Sequence, residues 1–259
     1  MSVIVYHGLA KMSICDLEKC EMFKKIGSYF KKFFKKSPFM GVLVSVTAVA
    51  IIVSMIFCFD EPKDFITAMP IFVSLIIMLL QSEANRYAFL LGSLNSLLYA
   101  VADSMFTLYS SALSALLISF PIQMLTFIRW NKRKYKDSTV FSKLSWKMRG
   151  LCVLIGIGAV IALNFALSGT GSDYLLLDNV SNVIGYFTSI FTFMSFIEYP
   201  FLQITGLAIG TVNYFFILAD GDLAIVPRVI YNLYCGVCIV RATISVYKLY
   251  KEQNASKKE

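Results

Sequence analysis

Read for polarity alone, the chain is a succession of long charge-free stretches separated by short charged ones. No Asp, Glu, Lys or Arg occurs over 37–59, 65–82, 87–102, 104–128, 150–172, 179–197 and 199–219. Several of these runs reach the roughly 18–20 residues that an apolar helix needs to cross a bilayer. Hydrophobic residues follow one another within them, with no alternation of period two. Lipid offers backbone groups no hydrogen bonds, so a spanning segment is a helix or a strand of a closed barrel, and continuous apolarity excludes the barrel. The pattern predicts an all-α integral membrane protein. Composition strengthens this: 58% of the 259 residues are hydrophobic, 15% are charged and the mean hydropathy is +0.70, which excludes a soluble enzyme.

The placement of charge sets the expected topology. Of 24 Lys and Arg, eight lie in the tail before residue 37, eight in 129–149 and four after residue 247. Eight carboxylates (Asp60, Glu61, Asp64, Asp103, Asp173, Asp178, Asp220 and Asp222) fall in the other connections, where Lys63 is the one basic residue. By the positive-inside rule the basic segments are cytoplasmic and the acidic connections external. Threading the chain accordingly takes eight crossings, at about 40–59, 65–81, 86–102, 104–128, 150–168, 178–197, 199–219 and 224–247, and leaves both termini cytoplasmic. The first crossing reads as a retained helix, because no small-x-small cleavage site follows it. In the last, Arg241 either snorkels to the headgroups or takes a pairing or gating role. Arg228, near the outer mouth, either pairs with Asp220 or Asp222 or stands alone.

Net charge of +8 raises the question of nucleic acid. Residues 16–36 interleave Phe23, Ile26, Tyr29, Phe30, Phe33 and Phe34 with lysines, which suits an interfacial helix on anionic membrane lipid better than a nucleic-acid arm. The basic 129–149 loop reads as a cytoplasmic retention signal. Cys235-Gly-Val-Cys238 lies inside a hydrophobic span without a second ligand pair and reads as packing. With His7 the single histidine, no metal cluster or histidine-based catalytic set can be assembled, and no cofactor is expected.

An internal repeat is visible. Gly92-Ser-Leu-Asn95 is followed by an apolar stretch with Tyr99 and ends at Asp103; Gly210-Thr-Val-Asn213, with Tyr214 next, ends at Asp220. The offset is 118 residues and both copies run outward, so the repeats are parallel. This predicts a 3+1+3 bundle: 65–128 as the first three helices, 129–149 as a cytoplasmic loop, 150–168 as a linking helix and 178–247 as the second three. Residues 1–39 are then a basic tail, 40–59 an additional N-terminal helix and 248–259 a cytoplasmic tail.

These residues resemble a known family. Asn85-Arg-Tyr87-Ala-Phe-Leu-Leu-Gly92-Ser-Leu-Asn95, then Leu108-Tyr109 and the helix ending at Trp130 before a basic loop, are similar to the first half of the PnuC family of vitamin transporters. Asp178 and Asn213 are similar to its second half. The resemblance spans about 66–250. It implies uptake of nicotinamide riboside by facilitated diffusion in a bacterial cell membrane, trimeric assembly, a fold related to the SWEET sugar transporters, and trapping of the substrate by a cytoplasmic kinase. Relatives carry thiamine or riboflavin instead. In the nicotinamide riboside members the seventh helix reads W-x-x-W-x-x-x-N; the asparagine falls on Asn213, but the two tryptophans fall on Gly206 and Ile209. A polar position of the fourth helix falls on Ala115, with Gln123 further along. A different substrate, or aromatic contacts from Phe120, Tyr186 or Tyr214, is therefore open.

Polar side chains inside apolar helices are the candidate substrate contacts, because they are costly unless they face a cavity or one another. Asn95, Gln123, Asn182 and Asn213 qualify, and each either touches substrate or holds two helices together. Asn95 and Asn213 are expected at similar depth from the repeat. Pro121 frees a carbonyl in the fourth helix and makes either a hinge or a fixed kink; Tyr99, Tyr214, Asp178 and Arg228 are candidate gating or pathway residues. No carboxylate falls deep within a helix, which favours uniport, and no Walker motif is present. A non-transporting scaffold or receptor and a membrane-embedded enzyme are the remaining function classes.

The threading makes a direct prediction. In a cysteine-free background, cysteines placed near Ser172 and Gly221 should react with an impermeant thiol reagent added outside, and those near Ser138 and Ser256 should not. External labelling at Ser138 reverses the topology.

Overall fold

The computed structural model describes residues 37–58, 62–105, 115–167, 175–221 and 223–256. Eight α-helices are found among them: α1 Pro38–Cys58, α2 Pro62–Ser82, α3 Tyr87–Met105, α4 Phe120–Lys132, α5 Trp146–Leu167, α6 Leu175–Met194, α7 Tyr199–Ala219 and α8 Val226–Ala255. A π-helical turn, Ala115–Ser119, leads into α4, and a small hairpin of β1 Lys134–Tyr135 and β2 Ser138–Thr139 follows it. The chain divides into two units, Met1–Val46 and Thr47–Glu259. Of the first, the described part is the opening of α1; everything below concerns the second. The interfacial helix read over 16–36 lies outside the described residues.

Helices α1, α5 and α8 are long and apolar enough to cross a membrane. Proline explains where most helices begin. Five of the six prolines (Pro38, Pro62, Pro121, Pro200 and Pro227) stand in the first turn of a helix, where an absent N–H costs nothing. The kink expected at Pro121 is therefore displaced. Pro121 sits in the first turn of α4, and the irregularity is the π turn just before it, where the proline's missing donor and ring disturb regular bonding.

Within the second unit α2 packs on α3, α3 on α4, α4 on α6, α6 on α5 and α7, and α8 on both α2 and α7. The turns of α2–α3 and α6–α7 are built alike. Ala84 (φ 51°) and Ser195 (φ 62°) take the left-handed conformation. Ala84 N–H donates to the Gln81 carbonyl and Asn85 N–H to Leu80; Ser195 N–H donates to Thr192 and Phe196 N–H to Phe191. Both are Schellman closures, which satisfy the last helical carbonyls. The next N–H in each turn reaches the same segment: Arg86 donates to Asp137 and Ile197 to Ser142.

Trp130 is the centre of the core at this end. Fully buried, its ring meets Phe89 of α3 at 4.6 Å, Phe141 at 5.5 Å and Tyr199 of α7 at 6.3 Å between centroids, and its Nε1–H donates to the Thr192 carbonyl of α6 at 2.9 Å. Gln253, also buried, fastens the end of α8 to the hairpin by accepting from Phe141 N–H and donating to Thr139 O. Lys136 and Glu252 add a hydrogen-bonded ion pair at 2.7 Å, which raises the lysine and lowers the carboxyl from their ordinary values. Both groups are exposed, so the pair positions the hairpin more than it stabilises it. Arg241 does not snorkel: its guanidinium grips Glu83 at the end of α2, with Nε 3.0 Å from Oε1.

Ser195 combines a left-handed backbone with a buried hydroxyl that has no hydrogen-bond partner. Ser195→Gly should therefore stabilise the protein by about 1 kcal/mol, seen as a higher melting temperature in detergent. An unchanged or lower value means the hydroxyl carries weight not visible in its contacts.

Candidate functional site

A cavity of about 520 Å³ opens between α2, α3, α4, α6 and α7. Its wall is unusual for a protein of this hydropathy, because hydroxyls and amides dominate it. Ser74, Asn95, Ser96, Gln123, Thr188 and Gln203 contribute the central polar atoms, and Phe89 and Tyr99 the aromatic faces. None of the described lining residues is charged.

Asn95 is 4% exposed. Its Nδ2 donates to the Pro70 carbonyl at 3.2 Å and to Ser74 Oγ at 2.8 Å, which fixes the amide plane and leaves Oδ1 without a protein partner. Gln123 Nε2 donates to Ser96 Oγ at 3.0 Å, and its Oε1 lies against Gly92. Gly92 is required for that approach, since a Cβ there would stand 1.8 Å from the amide oxygen. Across the cavity Thr188 Oγ1 and Gln203 Oε1 are likewise buried without partners, while Gln203 Nε2 stands 3.5 Å from Gln81 Oε1. Buried polar atoms are nearly always paired in folded proteins. Three of the residues lining this one cavity therefore each keep an oxygen that no protein group satisfies.

Of the residues singled out from sequence, the cavity gathers Asn95, Gln123 and Tyr99. Asn213 and Tyr214 are half-buried on α7, Asn182 is exposed on α6 and Arg228 is exposed in the first turn of α8; none of the four lines the cavity. Pro121 adjoins the lining residues Ser119 and Ile122. Asp178 belongs to the first turn of α6, with its side chain outside the described residues. The aromatic lining comes from Phe89 and Tyr99 and not from Phe120, Tyr186 or Tyr214.

The equal depth expected of Asn95 and Asn213 is not found. Asn95 lies eight residues after the start of α3 and Asn213 fourteen after the start of α7, a difference of about 9 Å along a helix. The matching turns relate the two halves by 111 positions, from Ala84 to Ser195, and not by 118. A seven-residue shift is close to two full turns, so it preserves the helix face while changing the depth. In the register of the turns Asn95 corresponds to Gly206. Ser74, Ser96, Thr188 and Gln203 went unread because a hydroxyl can bond back to its own helix, as Ser96 does to Gly92 O, and because Gln203 stands near a predicted end. Gln81 and Gln203 do interrupt apolar runs as the asparagines do, and that signal is present in the sequence.

A profile of the family described as "Nicotinamide mononucleotide transporter" matches residues 64–248. The chain belongs to that family. The family region contains every lining residue of the cavity and leaves all of α1 outside it. The fold is similar to that in "Crystal structure of the Vitamin B3 transporter PnuC", with a TM-score of 0.67 at 17% identity over 83% of this chain and 92% of that one. A comparison with curated proteins found no match. In this nicotinamide mononucleotide transporter family member, then, apolar helices surround a chamber whose described lining is polar and without charge.

The Gly92–Gln123 approach can be isolated by a double-mutant cycle. Gly92→Ala should cost about 1–2 kcal/mol of stability by driving the amide off Ser96, and much less in a Gln123→Ala background. Equal cost in both backgrounds means that the glycine serves backbone packing.

Proposed function

We propose that this family member takes up a nucleoside-like vitamin, nicotinamide riboside first among them, by facilitated diffusion across a bacterial cell membrane. One observation carries the reading: the amide and hydroxyl residues Asn95, Ser96, Gln123, Thr188 and Gln203 line one cavity between the helices. Amide oxygens accept from the hydroxyls of a ribose and the NH₂ of a carboxamide, and their partial negative charge suits a delocalised pyridinium. Phe89 and Tyr99 offer ring faces to an aromatic base. A phosphate ester carries about −1.5 to −2 charges at pH 7 and needs cationic partners. Among the described residues no basic side chain lines the cavity, which supports the riboside over the mononucleotide. The size of about 520 Å³ is within the ordinary range for small-molecule sites.

The matching turns at Ala84 and Ser195 support a 3+1+3 bundle in which α2–α4 and α6–α8 are the repeats, α5 the link and α1 an addition. The clustered basic residues support a cytoplasmic position for both termini. Trimeric assembly belongs to the same proposal, as does capture of the imported substrate by a cytoplasmic kinase. Thiamine, also cationic and aromatic, is the second reading. It is kept open by Gly206 and Ile209, which stand where the nicotinamide riboside members carry tryptophans.

Binding and flux test the proposal separately. Asn95→Leu should weaken nicotinamide riboside binding by about 1–3 kcal/mol in calorimetry without loss of fold. Asn213→Leu, outside the cavity, should slow flux and leave affinity unchanged. In vesicles containing only this protein, uptake should stop at the Nernst ratio set by the potential for a cationic substrate, and continue when a kinase and ATP are enclosed. Accumulation beyond that ratio without the kinase would falsify uniport, since each charge coupled through 100 mV supplies about 2.3 kcal/mol. Unchanged affinity in Asn95→Leu removes the cavity from the mechanism.

A further inference from the structure

A second cavity, also about 520 Å³, lies between α5, α6 and α7 and differs from the first in every chemical respect. Its wall is aliphatic and aromatic, with Gly156 and Val160 of α5 facing Val183 and Phe187 of α6. Polar lining groups occur at one end alone, where Arg149 meets Glu198. The α5 side of the cleft runs from Arg149 to Ile161. Twelve residues of helix span about 18 Å, close to the roughly 15 Å of hydrocarbon in one leaflet.

The mouth of the cleft is built like a headgroup site. Trp146 is 80% exposed and carries the Arg149 guanidinium 4.6 Å above its ring, an arrangement suited to the membrane–water boundary. Arg149 gives one nitrogen to Glu198, and its buried Nε–H has no hydrogen-bond partner. Lys143 and Lys147 are exposed within six residues of it in the chain, so this stretch carries three cations to the one carboxylate of Glu198. We propose that this cleft binds an anionic phospholipid, with one acyl chain between α5 and α6 and the phosphate at Arg149 and Lys147. The excess of cations at the mouth favours a lipid phosphate over a neutral headgroup. The polar cavity shares none of these residues, so lipid binding stands or falls independently of the transported substrate.

The test is native mass spectrometry of the full chain in detergent, titrated with dioleoyl-phosphatidylglycerol or dioleoyl-phosphatidylcholine. The wild-type protein should retain phosphatidylglycerol preferentially. Lys147→Gln, an exposed change that leaves the fold intact, should weaken phosphatidylglycerol about fivefold and leave phosphatidylcholine unaltered. Gly156→Leu should weaken both lipids by filling the cleft; a Cβ at Gly156 meets Phe187 and Val183 at 3.5 and 4.0 Å, ordinary contact distances. Equal retention of the two lipids by the wild type overturns the proposal, and so does wild-type binding by a folded Gly156→Leu. A loss of oligomer in Gly156→Leu, with lipid retention unchanged per copy, assigns the cleft to a second chain and overturns it as well.

Discussion

Inside a bilayer an amide or hydroxyl without a partner costs several kcal/mol, because no water is there to replace the missing bond. Most polar side chains of this chain answer that constraint locally. Ser54, Ser74, Ser82, Ser96, Thr126 and Thr192 each donate to a carbonyl three or four residues earlier in their own helix. Others reach a neighbour: Tyr234 Oη–H donates to Leu75 O across α8 and α2, and Trp130 to Thr192 O across α4 and α6. Against that background the orphans Asn95 Oδ1, Thr188 Oγ1 and Gln203 Oε1 stand out, since one cavity collects all three. The side chains that this rule leaves unsatisfied thus include three of the chamber's lining residues.

The basic end of the bundle is where the helices are tied together. The segment after α4 receives the Arg86 and Ile197 N–H groups of the two matching turns, the Gln253 amide of α8 and the Trp130 core. Arg241–Glu83 and Arg149–Glu198 brace it further, the first between α8 and α2, the second between α5 and α7. From sequence Arg149 reads as part of a topological anchor and Arg241 as either snorkelling or pairing, and neither partner is legible there. Relative motion of the two turns has to pass through residues 133–142, so this short hairpin constrains how the two halves can move.

How much was legible follows from the physics of each signal. Long charge-free runs locate helices because lipid allows little else, and prolines locate their starts; both signals are one-dimensional. Asn95 and Gln123 could be found the same way, as amides where amides are costly. The depth of Asn213 could not, because a heptad shift keeps a residue on the same face and G-x-x-N is too short a motif to choose between registers 111 and 118. The Ser and Thr lining was hidden for a different reason. A back-bonded hydroxyl is compatible with lipid, core or cavity, so only packing of the neighbouring helices decides which it faces.

The absence of charge from the chamber also bears on how a carrier of the proposed kind would turn over. A carboxylate placed against a pyridinium in a low-dielectric cavity would bind it strongly, and the substrate would leave slowly at either face. Neutral amide oxygens contribute roughly 1 kcal/mol each in net terms, enough to select a donor-rich ligand and little enough to release it. Selectivity in such a site comes from geometry: Ser74 and Pro70 hold Asn95, Ser96 holds Gln123, and Gly92 gives Gln123 room. An analogue that cannot donate to those oxygens leaves them as orphans in a chamber it has emptied of water. Discrimination against it then arises from the cost of unpaired acceptors, without any need for tight binding of the correct solute.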